Sequence, residues 1–232
     1  MRPSSILDTL FPPTCLLCGA PGSQGLDLCP GCVSELPWNR HCCARCALPF
    51  DGPGLDGALC GACQRRAPPY EGCLCALRYE MPVPTLVGAA KFHSRLNAVR
   101  LLGRLLARSV LAAGRPLPQA LVPVPLHRGR LADRGYNQAL EIARAVGREL
   151  ALPVDSGCCE RAVPTLPQTG LDEGSRRRNI RGAFSTRSPS EWAHLAIVDD
   201  VVTTGSTVEE LARVLGRSGV ERIQVWAVAR TP

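Results

Sequence analysis

Ile197-Val198-Asp199-Asp200-Val201-Val202-Thr203-Thr204-Gly205-Ser206-Thr207 joins an apolar run to two carboxylates, a small hydroxyl-rich loop and a helical pattern. Leu195 to Val198 read as a short buried strand with Asp199 and Asp200 at its carboxyl end. Thr203 to Thr207 read as the turn that opens the next helix. In an open parallel sheet, ligands bind at that end of the strands. Loop amides and hydroxyls, with the positive end of the helix dipole, suit a phosphate monoester. Paired carboxylates suit vicinal sugar hydroxyls or a hydrated Mg²⁺. A phosphate at one end and a diol at the other describe a ribose 5-phosphate. Either half alone is consistent with a capped helix, with Thr204 or Ser206 as N-cap, or with a solvated acidic turn. Their joined order is what points to a sugar phosphate.

The same string resembles the signature of phosphoribosyltransferases, which bind phosphoribosyl pyrophosphate (PRPP). A Walker phosphate loop is absent, because the single lysine, Lys91, does not follow a glycine-rich turn.

The 232 residues can hold one large domain or two smaller ones, and composition favours two. Eleven of the thirteen cysteines lie between Cys15 and Cys75, so the first seventy-odd residues are a different kind of object from the rest. Charge divides the chain as well. Residues 1–75 carry five basic and six acidic side chains, which leaves 22 basic and 14 acidic groups for residues 76–232. The excess concentrates between Arg78 and Arg181, where 17 basic groups face 8 acidic ones, enough to attract a polyphosphate or nucleic acid. Many of these arginines simply solvate helix faces. No run approaches the apolar length of a membrane span, and MRPSSILDTLFPP lacks the plan of a secretion signal. The reading is a cytoplasmic protein, where paired cysteines are more often metal ligands than disulfides.

Two units of one plan stand in tandem. Cys15-x₂-Cys18 is followed after ten residues by Cys29-x₂-Cys32, and Cys43-x₂-Cys46 after thirteen by Cys60-x₂-Cys63. Each Cys-x-x-Cys turn offers two thiolates, and two turns complete the tetrahedron of a closed structural Zn²⁺ site. Four turns predict two zincs. Disulfides, disfavoured by compartment, and an Fe–S site are the alternatives. Cys42 competes with Cys43 in a Cys-x₃-Cys register, and His41 is a possible substitute ligand. Cys73, Cys75, Cys158 and Cys159 have no second pair and read as buried or free thiols. With four sulfurs on each metal, no coordination position is left for chemistry. Such a ribbon serves recognition, and its near-neutral charge leaves a protein partner, or docking on the rest of the chain, as options.

Arg65 to Tyr70, with Pro68 and Pro69, read as a stiff link, dividing the chain into residues 1–70 and 71–232. Beyond it, Gly72 to Tyr79 read as a strand. Ser94 caps a helix through Leu96, Val99, Leu102, Leu106 and Val110. Ala120 to Leu126 read as a buried strand broken by Pro123 and Pro125, then a basic loop with His127, Arg128, Arg130 and Arg134. Asn137 caps a helix through Ile142, Val146 and Leu150. Thr165 to Gly182, with Arg176, Arg177 and Arg178, read as a lid over the site. A helix from Thr207 to Ser218 and a strand from Arg222 to Ala229 close the chain. Strands alternating with amphipathic helices predict a parallel α/β sheet.

The doubled Cys-x-x-Cys pairs, Leu-Val-Pro-Val-Pro-Leu at 121–126, Arg-Gly-Tyr-Asn-Gln at 134–138, Thr165-x-x-Gln168, Arg176-x-x-Asn179 and Arg-Gly-Ala-Phe at 181–184 precede the 197–207 motif. In this order they resemble the competence protein F (ComF) family over nearly the whole chain. Leu166-Pro167 and Asp172 to Ser175 depart from its pattern. The resemblance implies an amino-terminal double zinc ribbon joined to a type I phosphoribosyltransferase-like domain, and a link to DNA uptake. It implies that Val201, Thr203, Thr204, Gly205, Ser206 and Thr207 hold the 5-phosphate side of PRPP and that Asp199 and Asp200 hold the ribose hydroxyls. Mg²⁺ would bridge hydroxyls and pyrophosphate, with Lys91, Arg128 and Arg134 as pyrophosphate contacts. The rival expectation is a non-catalytic PRPP sensor that engages single-stranded DNA or an uptake-machinery protein. An aromatic content of 4% counts against a stacking groove for single strands.

Overall fold

Four parallel strands carry the fold, and the computed structural model describes residues 13–52, 57–92, 96–162, 180–186 and 189–232, without the side chains of Lys91, Phe92 and Asp133. In chain order the elements are α1 (Pro30–Ser34), α2 (Gly61–Arg65), β1 (Gly72–Arg78), α3 (Val83–Phe92), α4 (Leu96–Ala112), β2 (Ala120–Pro123), α5 (Arg128–Arg134) and α6 (Gln138–Leu150). There follow β3 (Cys159–Arg161), β4 (Phe184–Thr186), β5 (His194–Val202), α7 (Ser206–Arg217) and β6 (Arg222–Arg230). The sheet order is β1-β6-β5-β2, with every pair parallel. Past α6 the chain returns beside β2, where Val154 bridges Leu121 in parallel.

Alternation along β5 builds two cores, because successive side chains of a strand point to opposite faces. Ala196 and Val198 face α4 and α6, sharing a cluster with Leu102, Leu105, Ile142 and Val146. Leu195 and Ile197 face α7, sharing the other with Val208, Leu211 and Leu215. Burial of each large aliphatic side chain contributes about 1.5–3 kcal/mol, so this sheet is held from both sides.

Helices α4 and α6 meet at Gly103, where an added Cβ would lie 2.4 Å from that of Ala145. Only a bare backbone permits that approach. A Gly103→Leu variant is therefore expected to lose about 3 kcal/mol by overpacking, lowering the melting temperature by roughly 6–12 °C. An unchanged thermal transition would mean that the helices do not cross this closely.

The cysteine-rich segment borrows its core from the sheet. Trp38 bridges Leu77 of β1 in antiparallel fashion. The Asn39 amide donates to Ala76 O at 3.0 Å and the Arg78 amide to Pro37 O at 2.7 Å. Leu26, Leu28 and Leu36 join the same apolar cluster as α4. Ribbon and sheet are thus packed as one body of side chains.

Three local readings shift. Strand β5 runs from His194 through the Asp-Asp pair to Val202, not only to Val198, because β6 continues alongside it. Residues 128–134 form a helix instead of a basic loop; the His127 Nδ1 accepts from the Gly129 amide at one end, and Gly135, at φ 80°, closes the other. Val83–Phe92 adds a helix, α3, that the sequence reading passed over. The expected cap Ser94 and residues 165–179 of the expected lid lie outside the described residues.

Candidate functional site

Strands β2 and β5 run side by side until the Val124 amide donates to Val198 O at 2.9 Å, and there they part. Beyond β2 the chain turns through Pro125 into α5, while β5 runs on beside β6 alone. From β2 the chain passes through α6 to the Val154 edge, and from β5 through α7 to β6, in the opposite direction across the sheet. Such a divergence is a topological switch point, where open parallel sheets leave a crevice.

A cavity of about 350 Å³ occupies it. Asp199, Asp200, Val201, Thr203, Gly205 and Thr207 form one wall. Arg130 and Arg134 of α5, with Asn137 and Gln138 at the start of α6, form the other. Tyr79, just past β1, and Arg161 of β3 also line it. The first turns of α6 and α7 both border this space, so two helix dipoles favour an anion there.

Local chemistry explains why these residues take these positions. The Asp200 amide donates to Asp199 Oδ1 and the Val201 amide to Asp200 Oδ1, each at 2.8 Å. Gly205 holds φ 80°, a left-handed conformation that glycine adopts without a Cβ penalty, and so turns strand into helix within a few residues. Thr204 Oγ1 and Ser206 Oγ lie 2.9 Å apart and bond each other. Asn137 caps α6 by accepting from the Ala139 amide at 3.0 Å and ties it to the residue after β2 by donating to Val124 O at 3.0 Å. Arg134 Nη1 donates to Gln138 Oε1 at 2.8 Å. The Arg-Gly-Tyr-Asn-Gln string is thus the hinge of one cavity wall.

Not every expected residue reaches the cavity. Arg128 is exposed on the first turn of α5 and absent from the lining, where Arg130 stands instead. Thr204 and Ser206 are also absent from that lining. Lys91 belongs to the last turn of α3, and its side chain is outside the described ones. Arg161 and Tyr79 were missed by sequence reasoning. Arg161 lies over the Phe184 ring at 5.7 Å, held by the two-stranded β3–β4 sheet. Burial, with Arg130 nearby, draws its guanidinium below the usual arginine range, against the pull of Asp199. Nothing in the isolated string Cys-Glu-Arg signals this, because the placement depends on a pairing across residues 163–179.

The two cysteine sets are brought together as read: Cys15, Cys18, Cys29 and Cys32 form one cluster, and Cys43, Cys46, Cys60 and Cys63 the other, the sulfurs of each within 4.8 Å of one another. Cys18 to Cys29 and Cys46 to Cys60 measure 3.6 Å between sulfurs, against an edge of about 3.8 Å for a tetrahedron built on ordinary Zn–S bonds. Burial pushes the Cys15 thiol up, but hydrogen bonds with the backbone of Cys29, Cys18 and Leu17 outweigh it and leave it at about 6. Cys43 reaches about 7 in the same way, burial being outweighed by the backbone of Cys60, Cys46 and Arg45. The Cys29 side chain pushes Cys32 up, and burial pushes up Cys46. Four thiols this close cannot all ionise without a cation among them, which is the donor set that zinc fits. Cys42 belongs to neither cluster, and Cys73 and Cys75 are buried on β1 with sulfurs 3.6 Å apart. Cys159, on β3, is likewise buried.

Fold and clusters define the class: a parallel α/β sheet with a double ribbon of Cys₄ sites packed on its β1 edge. The double zinc ribbon domain family matches residues 6–64. The DNA utilization protein YhgH of Salmonella typhi is 36% identical over 225 residues, covering 95% of this chain and 98% of that protein. Competence protein F of Haemophilus influenzae is 35% identical over 215 residues, covering 88% and 90%. The chain belongs to the family of these proteins, the ComF family. TT1426 from Thermus thermophilus, a solved structure, aligns with 58% of this chain and 83% of its own at 17% identity and a TM-score of 0.35, too loose a likeness to argue from. Among the described residues, no helix is long and apolar enough to cross a membrane.

Proposed function

We propose that the switch-point cavity binds PRPP or a related ribose phosphate, as in a type I phosphoribosyltransferase, and that the protein serves DNA uptake or use from the cytoplasm. One observation carries the sugar-phosphate part: Asp199, Asp200, Thr203, Gly205 and Thr207 border the same cavity as Arg130, Arg134 and Arg161. The uptake part is supported by the relatives' names, competence and DNA utilization. The domain division at residues 70 and 71 belongs to the same proposal.

In this reading the amides of the 203–207 turn, with the hydroxyls of Thr203 and Thr207, hold the 5-phosphate, and Asp199 and Asp200 accept from the ribose hydroxyls. Their two carboxylates also suit a hydrated Mg²⁺, which would supply charge neutralisation for the pyrophosphate. Arg130, Arg134 and Arg161 line the same cavity and would meet the pyrophosphate. Transfer breaks the bond from ribose C1 to pyrophosphate and forms one to an incoming nucleophile. Positive charge develops on the ribose, so positioning and the fixed carboxylates do most of the work.

The second reading is a PRPP sensor without transfer that serves DNA use or competence, the roles that the relatives' names print. Calorimetric titration of the zinc-loaded protein with PRPP and Mg²⁺ is expected to show saturable binding, and the absence of binding would overturn both readings. Pyrophosphate release with a panel of amines and bases separates them. Lys91→Met is expected to weaken PRPP binding about tenfold, as for one lost charge-assisted contact; full affinity removes Lys91 from the site.

A further inference from the structure

We infer that Arg230 is a positioning residue that straps the second cysteine cluster to the phosphate loop, so that metal at Cys43, Cys46, Cys60 and Cys63 helps set the loop for its ligand. The proposal rests on the sugar-phosphate reading of that loop. Arg230 ends β6 and is 6% exposed. Its Nε donates to Cys46 O at 3.3 Å, inside the second cluster. Its Nη1 donates to Val202 O at 3.2 Å, to Thr203 O and to Thr231 O at 3.1 Å. One buried cation thus spans from a cysteine-turn carbonyl to the last carbonyl of β5, which the Thr231 amide also holds at 3.1 Å, and to the first carbonyl of the loop. Its own carbonyl accepts from the amide of Tyr79 at 2.8 Å, at the edge of the cavity.

The peptide plane turns this contact into control of the loop. In a trans peptide, carbonyl and following amide point in opposite directions. A guanidinium fixed on Val202 O and Thr203 O therefore turns the amides of Thr203 and Thr204 away from Arg230. Of these, the amide of Thr203, a residue of the cavity lining, is a donor that a bound anion would use. A cleft of about 500 Å³ lies behind the loop, with Cys46, Cys60 and Tyr70 on one wall and Thr203, Thr204 and Gly205 on the other. The cluster therefore faces the back of the turn whose front lines the ligand cavity. If the metal leaves, the Cys46 carbonyl loses its fixed place, and one end of the strap loses its anchor.

Hydrogen–deuterium exchange on the full-length, zinc-loaded protein tests this without any ligand. In Arg230→Lys, which keeps the charge and loses the fork, amides of 203–207 are expected to exchange about tenfold faster while two zincs per chain remain bound. In the wild-type chain, a chelator that removes the second zinc is expected to speed the same amides, which supplies the test should the substitution fail to fold. Unchanged exchange at 203–207 in either experiment overturns the strap. Ribose 5-phosphate is then titrated against wild type and Arg230→Lys, with about a tenfold loss of affinity expected in the variant. Faster exchange together with no ribose 5-phosphate binding even in wild type would sink the ligand reading and leave the strap standing. Faster exchange with equal affinity in both proteins would overturn the claim that the strap prepares the loop.

Discussion

A Cys15→Ser/Cys18→Ser chain is expected to unfold in one transition, more than about 10 °C below the wild type, and not to shed its ribbon while the sheet melts unchanged. Metal binding to a closed thiolate site contributes on the order of 10–16 kcal/mol of apparent free energy, part of which survives in the unfolded chain's own affinity for the ion. Even a third of that is comparable with the margin by which a typical domain is folded. What spreads the loss is packing. Cys15, Leu26, Leu28 and Leu36 belong to the same apolar cluster as Leu77 of β1 and Leu102 of α4, so a ribbon that opens uncovers the edge of the sheet. The Trp38–Leu77 bridge and the flanking main-chain bonds are lost with it. Calorimetry with zinc quantitation decides the matter. Two resolved transitions, the upper one at the wild-type temperature, would establish that residues 71–232 stand alone and that the shared cluster contributes little.

The cysteine sites were legible because their geometry is local. A Cys-x-x-Cys turn fixes two sulfurs whatever surrounds it, and the spacing between turns needs only to let two of them meet. The Asp-Asp loop was legible for a related reason: an apolar run, two carboxylates and a glycine turn lie within eleven residues. The length of β5 was not, because its last residues are a strand only by virtue of β6 alongside, and Asp-Asp has no strand propensity of its own. Residues 127–134 misled through their charge; the capping histidine and the closing Gly135 defined a helix that the arginines concealed. Arg161 and Arg230 were illegible for a stronger reason. Each takes its place through partners far away in sequence, Phe184 for one and Cys46 and Val202 for the other. Docking of the ribbon on the rest of the chain was one of the options that its near-neutral charge left open, and the ribbon packs against β1 and α4.

Replacing both carboxylates, as Asp199→Asn/Asp200→Asn, is expected to weaken PRPP binding in the presence of Mg²⁺ about a hundredfold, near 2.8 kcal/mol, with the fold intact. The fold survives because an amide oxygen can still accept the 2.8 Å bonds from the Asp200 and Val201 amides. Charge alone is removed. Two charge-assisted contacts at about 1.5 kcal/mol each account for the size of the loss. The direction for a simpler anion is opposite. Inorganic phosphate on the 203–207 turn meets two nearby negative charges in the wild type, so the double variant should bind it equally well or slightly better. A paired measurement therefore separates a specific role from general damage: PRPP affinity falls while phosphate affinity holds. If both fall together, the turn itself has been disturbed and the substitution says nothing special about the carboxylates. If neither falls, Asp199 and Asp200 do not hold the ribose, and Arg130, Arg134 and Arg161 of the same lining become the place to look for whatever anion this site takes.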